Sequence, residues 1–437
     1  MREGRESMSK RLKVLVLGAG GREHALCWAA AKSPRVAEVV CAPGNGGIAQ
    51  VARCVAVDGT DLDAMVALVK AEAPDLTVVG PEVPLALGLV DELERLGQRV
   101  FGPTKAAAEL ETSKAFAKEF MQRNGIPTAA YEICDSMDAV RAKLPAFSAP
   151  VVVKADGLAA GKGVVIAATL SEAEEAAAAM FSGELLGEPA RRVVLEEFLE
   201  GEELSFFAVC DGKHAVALAA AQDHKRIGEG DSGPNTGGMG AYSTDALLPD
   251  SLRSWLTENV AQKVVDGMAR EGRPFKGMLF VGIMMVPREG TIQPMVLEFN
   301  TRFGDPETQA LMMRLESDVI DVFDAAIDGT ASELKVRMKL GASVCVIAAS
   351  AGYPGKYSGG KTISGLEADA KNEVMVFHSG TAAREGAIVT AGGRVLGVTA
   401  VGDSLRVALE RAYGRMDGIS FEGMQFRRDI GWRALGR

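Results

Sequence analysis

Apolar residues come along this chain in short runs that end in glycine, and each run gives way to a polar or amphipathic stretch. "LKVLVLGAGGREHALCWAAAK" opens with a buried strand, Val14 to Leu17, then a glycine turn and a helix. That is the start of a doubly wound α/β domain. "EVVCAPGNGG" and "VVGPE" repeat the ending at Asn45 and Glu82. Three such turns at strand C-termini meet along one edge, where open α/β sheets bind ligands, although any one of them alone reads as a tight turn. Backbone N–H groups after Gly20 and Gly21 suit a phosphate, and Glu82 suits a hydroxyl or an amine.

In the middle of the chain "SKAFAKEFMQRNGIP" predicts a helix with Ser113 as its N-cap. "APVVVKADGLAAGKGVVIA" then predicts a strand ending in Lys154, a loop, and a second strand of Val and Ile. The loop is no P-loop. Three residues separate Gly157 from Gly161, and Gly163 follows Lys162 where a magnesium-binding hydroxyl belongs. Strand–loop–strand instead predicts a flexible hairpin lid whose amides and lysines lie over phosphates; taken alone, it serves equally as an ordinary glycine hairpin. "RRVVLEEFLEGEELSFFAV" predicts a strand, Val193 to Leu195, running into a hinge at Glu196, Glu197, Phe198 and Leu199. Such a hinge offers backbone polar groups to an adenine edge. In "PMVLEFNTRFGDPETQ" the strand Val296 to Asn300 puts Glu298 and Asn300 on one side, an oxygen pair suited to Mg²⁺. Arg302 follows, where it can steady a transferring phosphoryl group, or form a plain Arg–Glu pair. The stretch 222–243, with Asp223, His224, Lys225 and Arg226, is too polar for a core and long for an idle loop. Residues 336–437 alternate short strands with the helix "DSLRVALERAYGRM", a small α+β unit expected to pack on the N-terminal block.

Composition narrows the function classes. A chain of 437 residues needs more than one core. A net charge of −10 excludes a general nucleic-acid role. The six cysteines form no C-x-x-C pair and the four histidines have no zinc spacing. The absence of a long apolar run predicts no membrane span and a cytoplasmic protein, and "MREGRESMSK" reads as a disordered lead, residues 1–11. Dinucleotide binding fails, because Glu23 stands where the GxGxxG fingerprint needs glycine and the second strand ends in "PGNGG" rather than an acid.

Taken together, "GGREHAL", "KADGLAAGKGV", "EEFLEGEE", "QDHKR", "GPNTGGMGAY" and "EFNTRFGDPET" resemble the ATP-grasp superfamily, and within it the phosphoribosylamine–glycine ligase family, from about Lys13 to "RRDIGWRA". The resemblance implies an α/β and α+β multidomain fold. A doubly wound substrate domain would span 12–112, an ATP-grasp domain 113–335 with its lid at about 130–195, and an α+β domain 336–437. It implies ATP, with Mg²⁺ or Mn²⁺, joining glycine to 5-phosphoribosylamine through glycyl phosphate. By resemblance Lys114, Lys154, Gly157, Gly161, Lys162 and Gly163 contact the phosphates. Glu196 to Leu199 read the adenine, and Glu203 takes the ribose. Glu298 and Asn300 hold the metal, and Arg302 stabilises the transition state. Asp223 and Asp305 belong to the glycine end, Lys225 is a further catalytic residue, and Gly20, Gly21, Asn45 and Glu82 face phosphoribosylamine. Transient contact with an upstream amidotransferase is left open. Two departures stand out: Ala19 replaces the family's usual Asn, and "MLFVGIMMV" carries no acidic metal ligand, so water completes the shell. Another ATP-grasp ligase, such as one that carboxylates an aminoimidazole ribotide, and a non-catalytic ATP sensor are the rivals. Glycine dependence separates the first, and the intact Glu298, Asn300 and Arg302 argue against the second.

Overall fold

Five parallel strands form the N-terminal sheet: β1 (Leu12–Gly18), β2 (Val36–Pro43), β3 (Arg53–Cys54), β4 (Leu76–Val79) and β5 (Val100–Phe101), in the order β3-β2-β1-β4-β5. Helices cover both faces, so the strands read as unbroken apolar runs rather than alternating ones. β4 is buried at all four positions. This is the doubly wound domain expected from the glycine-terminated runs. The computed structural model describes residues 11–158, 163–185, 187–367 and 373–436. All of the expected lead except Arg11, and Gly161 and Lys162 of the lid, lie outside the described residues.

A four-stranded antiparallel sheet follows, built from β6 (Tyr131–Cys134), β7 (Val151–Ala155), β8 (Val164–Ala167) and β9 (Val193–Glu197), in the order β6-β9-β7-β8. β7 pairs directly with β8, Val151 opposite Ala167, so the glycine loop joins two strands as the pattern predicts. β9 runs two residues further than the sequence indicates. Glu196 and Glu197 continue the ladder opposite Val152 and Val151. The extension holds because the buried Glu196 carboxylate meets two lysines, so a charge can stay inside a sheet. Ser113 caps the helix Lys114–Arg123 as expected, accepting from the Phe116 N–H at 3.0 Å.

The remaining strands are β10 (Glu202–Asp211), β11 (Ala215–Asp223), β12 (Arg226–Gly228), β13 (Ser232–Asn235), β14 (Gly240–Thr244), β15 (Lys276–Arg288), β16 (Thr291–Asn300), β17 (Ala342–Ala349), β18 (Val374–His378), β19 (Thr381–Arg384), β20 (Ala387–Thr390) and β21 (Arg394–Gly402). Eight of these form one sheet, β16-β15-β10-β11-β14-β17-β21-β18, while β12–β13 and β19–β20 stand as hairpins. The C-terminal strands thus continue the sheet that carries the Glu298–Asn300 strand. β14 is the junction, pairing with β11 on one side and β17 on the other. The C-terminal block also docks on the first domain: the His378 N–H donates to His24 Nδ1 at 2.8 Å, with Phe377 edge-on to the same ring. No helix among the described residues is long and apolar enough to cross a membrane.

Candidate functional site

Between the four-stranded and eight-stranded sheets lies a cleft of about 920 Å³. Strand ends deliver its side chains. Lys154 is the last residue but one of β7, β9 ends at Glu197, β11 at Asp223 and β16 at Asn300, while Lys114 stands at the first turn of its helix. Glu82, Gly157, Gly163, Phe198, Leu199, Glu203, Lys225, Glu298, Arg302 and Asp305 line it as well. Most residues singled out from the sequence therefore share one cavity, although they come from widely separated stretches of the chain.

Cations gather on one wall. Lys114 Nζ donates to the Gly157 carbonyl at 2.8 Å, tying its helix to the start of the glycine loop. Burial lowers the Lys114 pKa, with Glu298 opposing that shift. Lys154 lies 2.9 Å from Glu196, whose other oxygen meets Lys118 at 2.8 Å. Burial works to raise the Glu196 carboxyl, but Lys154 and Lys118 hold it below the ordinary glutamate range. Lys118 itself is pushed down to about 8 by burial, against the pull of Glu196. With Glu196 buried and committed to two lysines, its side chain is not free for an adenine edge, and its backbone stands inside the β6–β9–β7 ladder. The adenine reading for Glu196 is corrected accordingly: it orients Lys154, and the first residues beyond the strand are Phe198 and Leu199.

On the opposite wall Glu298 faces Lys225, Lys154 and Lys114, which outweigh burial and keep it ionised. Lys225 pairs with Glu203 at 2.5 Å, and its pKa is raised because Glu203, Glu298 and Asp223 overcome burial. Arg302 does not continue the strand face. β16 stops at Asn300, and the guanidinium turns to meet Glu111 at 2.8 Å, Asn300 Oδ1 at 3.1 Å and Glu82 at 3.5 Å. Asp223 and Glu307 are both buried, and both carboxyls are raised. Burial is the leading cause for each, and for Asp223 the neighbouring Glu307 charge follows. Among the described residues no cluster of three or more His, Cys, Asp or Glu suits a metal. The Glu298–Asn300 pair nevertheless fits a hard cation that takes its remaining oxygens from phosphates and water.

A smaller cavity, of about 340 Å³, lies between the first domain and the C-terminal block. Gly20 and Asn45 line it, with Ser379, Thr381 and Arg394 opposite. Asp305 lines both cavities and so marks where they meet. Burial would raise its carboxyl, but Arg394 and Arg22 hold it low. All four of the residues assigned to phosphoribosylamine behave otherwise than expected. The Gly20 N–H is already taken by Glu23 Oε2 at 2.6 Å, so it is not free for a phosphate. Gly18, at φ +124°, leaves the room for that glutamate, since a Cβ there would fall 2.5 Å from Glu23 Cγ. Gly21 lines neither cavity, because a Cβ on it would meet Gln309 and Ser379. The Asn45 side chain is fully used, donating to the Ala19 and His378 carbonyls and accepting from the Gly47 and Ile48 N–H groups. Glu82 lies in the larger cleft, beside Arg302, rather than with Gly20 and Asn45.

Sequence reasoning missed Lys118, Glu111, Glu307 and Arg22. Lys118 carried one usable signal, standing four positions after Lys114 and so on the same helix face. Glu307 sits within the stretch already marked as functional. Arg22 likewise stands in the marked "GGREHAL" stretch, next to its partner Glu23, whereas Glu111 had no local signal, since its partner Arg302 lies far along the chain.

Known proteins carry the same order of parts. Residues 12–111, 112–308 and 343–433 match the N domain, the ATP-grasp (A) domain and the C domain of phosphoribosylglycinamide synthetase. A phosphoribosylamine–glycine ligase of Xanthomonas campestris pv. campestris is 50% identical over 429 residues, covering 98% of this chain and 99% of its own length. The crystal structure of a phosphoribosylamine–glycine ligase from Thermotoga maritima superposes with a TM-score of 0.80 at 35% identity, covering 96% of this chain and all of that one. A biotin carboxylase from Campylobacter jejuni shares the fold alone, with a TM-score of 0.76 at 15% identity over 99% and 96% of the two chains. Matched from end to end by three family domains and by relatives of equal length, the chain belongs to the phosphoribosylglycinamide synthetase family, the phosphoribosylamine–glycine ligases.

Proposed function

We propose that this chain performs the family's reaction, ATP + glycine + 5-phosphoribosylamine giving glycinamide ribonucleotide, ADP and phosphate, with the following division of labour. The observation that carries the assignment is one cleft with Lys114, Lys154 and Glu298 around a common space and Arg302 at its edge. A carboxylate is a poor electrophile, so it must first be activated. Glycine's carboxylate oxygen attacks the γ-phosphorus, the bond to the ADP oxygen breaks, and glycyl phosphate forms. The amine of phosphoribosylamine then attacks the carbonyl carbon and loses a proton, and phosphate leaves with the C–O bonding pair.

No side-chain nucleophile is required, so catalysis is positioning and charge neutralisation. Lys114, Lys154 and the lid, including Gly157 and Gly163, hold the phosphates. Phe198 and Leu199 sit where adenine can meet the hinge, and Glu203 is set for the ribose. Glu298 and Asn300 would hold Mg²⁺ or Mn²⁺, which when bound neutralises phosphate charge. Arg302 faces the transferring phosphoryl group. Asp223 and Lys225 serve the glycine end. Asp305, at the meeting of the two cavities, would lie between glycine and phosphoribosylamine. An amidotransferase reaction must supply the amine, and transient contact with that enzyme is part of the proposal, as are a cytoplasmic setting and domain limits near 112 and 335. Six free thiols accord with a reducing compartment.

The test is ADP release by purified protein with MgATP, glycine and phosphoribosylamine generated in place, omitting each in turn. ADP that needs both co-substrates, with product of the mass of glycinamide ribonucleotide, supports the assignment. ADP release indifferent to glycine would sink it.

A further inference from the structure

Asp223 ends β11, where it pairs with Ala241 of β14, but the loop that follows it and carries Lys225 into the cleft has little core of its own. β13 is exposed at all four of its positions, and β12 is only half-buried. A segment some two hundred positions further along the chain, Arg427–Arg433, holds the arc instead. Arg427 is almost fully buried and donates to the Arg226 carbonyl at 3.0 Å and to Asp231 at 2.9 Å. Asp429 accepts from the Gly230 N–H at 2.8 Å, and the Arg428 N–H reaches Glu229 at 3.0 Å. The Gly431 N–H donates to His224 Nε2 at 3.1 Å. That ring is completely buried, where a neutral imidazole can accept. Arg433 closes the series. One of its terminal nitrogens donates to the Asp223 carbonyl at 3.1 Å, while the other engages Asp231. Arg433 and its neighbour Trp432 also line the large cleft.

Arg427 bonds the outer part of the loop, but Arg433 is bonded to the backbone of Asp223 itself. We infer that Arg433 is a positioning residue for glycine, acting through the Asp223 carbonyl to aim the Asp223 carboxylate into the cleft, with Asp231 as the anchor that fixes the guanidinium. The inference rests on the glycine-end role proposed for Asp223. A planar fork is required, because one guanidinium must serve a carbonyl and a carboxylate in divergent directions, which an ammonium on a flexible stem does not reproduce.

The experiment is steady-state kinetics of Arg433→Lys, Arg433→Ala and Asp223→Asn, with glycine and ATP varied separately and thermal midpoints recorded. Losing the positioning bond raises the KM for glycine about tenfold in both Arg433 variants, the size of one hydrogen bond from a charged donor. The KM for ATP stays near wild type, and Arg433→Lys keeps the wild-type midpoint. A merely structural tether would lower the midpoint or move both KM values together, and either result overturns the inference. Asp223→Asn separates the two layers. If it leaves glycine KM unchanged, the reading of Asp223 fails and the inference falls with it. If it raises glycine KM while both Arg433 variants do not, the inference alone fails.

Discussion

Replacing Arg302 with alanine tests the chemistry of the cleft most directly, because the structure separates what this side chain does for the fold from what it does for the reaction. Its guanidinium is 17% exposed and touches Glu111, Asn300 and Glu82. Without it Glu111 is not stranded, since its Oε2 still accepts from the Thr301 N–H at 2.7 Å and hydroxyl at 3.0 Å. Glu82 is about one-third exposed and keeps Arg22 among its cationic neighbours. The stability cost is therefore on the order of 1–3 kcal/mol, that of one weakened charged hydrogen-bond set rather than of an unpaired buried ion. The reaction loses more. A cation aimed at developing phosphoryl charge in a water-poor site contributes about 3–4 kcal/mol, so kcat falls by roughly 10²–10³ while KM for ATP changes little. Arg302→Lys recovers only part of this, for an ammonium cannot span three partners. The assay is glycine-dependent ADP release alongside thermal melting by circular dichroism. A loss of kcat below about tenfold, or a rise in KM with kcat intact, would refute the transition-state role.

Other residues give equally sharp outcomes. Lys118→Met leaves Glu196 to draw Lys154 away from the phosphates, so KM for ATP rises about tenfold; adding Glu196→Gln restores it, and a double variant no better than the single would refute the relay. Glu298→Gln weakens Mg²⁺ dependence, so the ion concentration giving half-maximal ADP release rises by about tenfold or more, and unchanged dependence would remove Glu298 from the metal site. Burial holds His24 and His224 near about 3 and His378 near about 4, below the ordinary 6.5 of imidazole. The unfolded chain then binds protons that the folded chain does not, so stability falls as pH drops from 6.5 towards 4, by about 1.4 kcal/mol per histidine per pH unit. Urea midpoints at pH 7 and 5 measure this, and equal midpoints would refute it.

Features whose cause is local were legible in the sequence. The glycine turns, the strand–loop–strand arrangement of β7 and β8 and the alternation placing Glu298 and Asn300 together follow from residue types at fixed short spacing. What stayed hidden was pairing across distance. Glu196 read as a hinge residue because nothing near it announces Lys118 or Lys154 as its partners. Asn45 read as a ligand-binding amide because the carbonyls of Ala19 and His378, which occupy it, come from two other parts of the chain. Arg433 stood in the quoted "RRDIGWRA" stretch with no role attached, since its meaning depends on a loop two hundred residues earlier. A polar residue at a strand end has the right chemistry for a site, but only the fold decides whether a protein partner has claimed it first.

The continuous eight-stranded sheet bears on how such a protein can be taken apart. The family domains invite a cut before β17, yet β14 hands its far edge to β17 through five consecutive residue pairs, Gly240–Thr244 against Ala342–Val346. Severing there would bare an apolar strand edge, and the Tyr242 ring now packed among C-terminal side chains, to any neighbouring molecule. The cleft wall beside Asp223 hangs from that same strand. The second and third parts of the chain are thus bound by shared hydrogen bonding into one sheet, and a cut between them would divide that sheet rather than free two independent units.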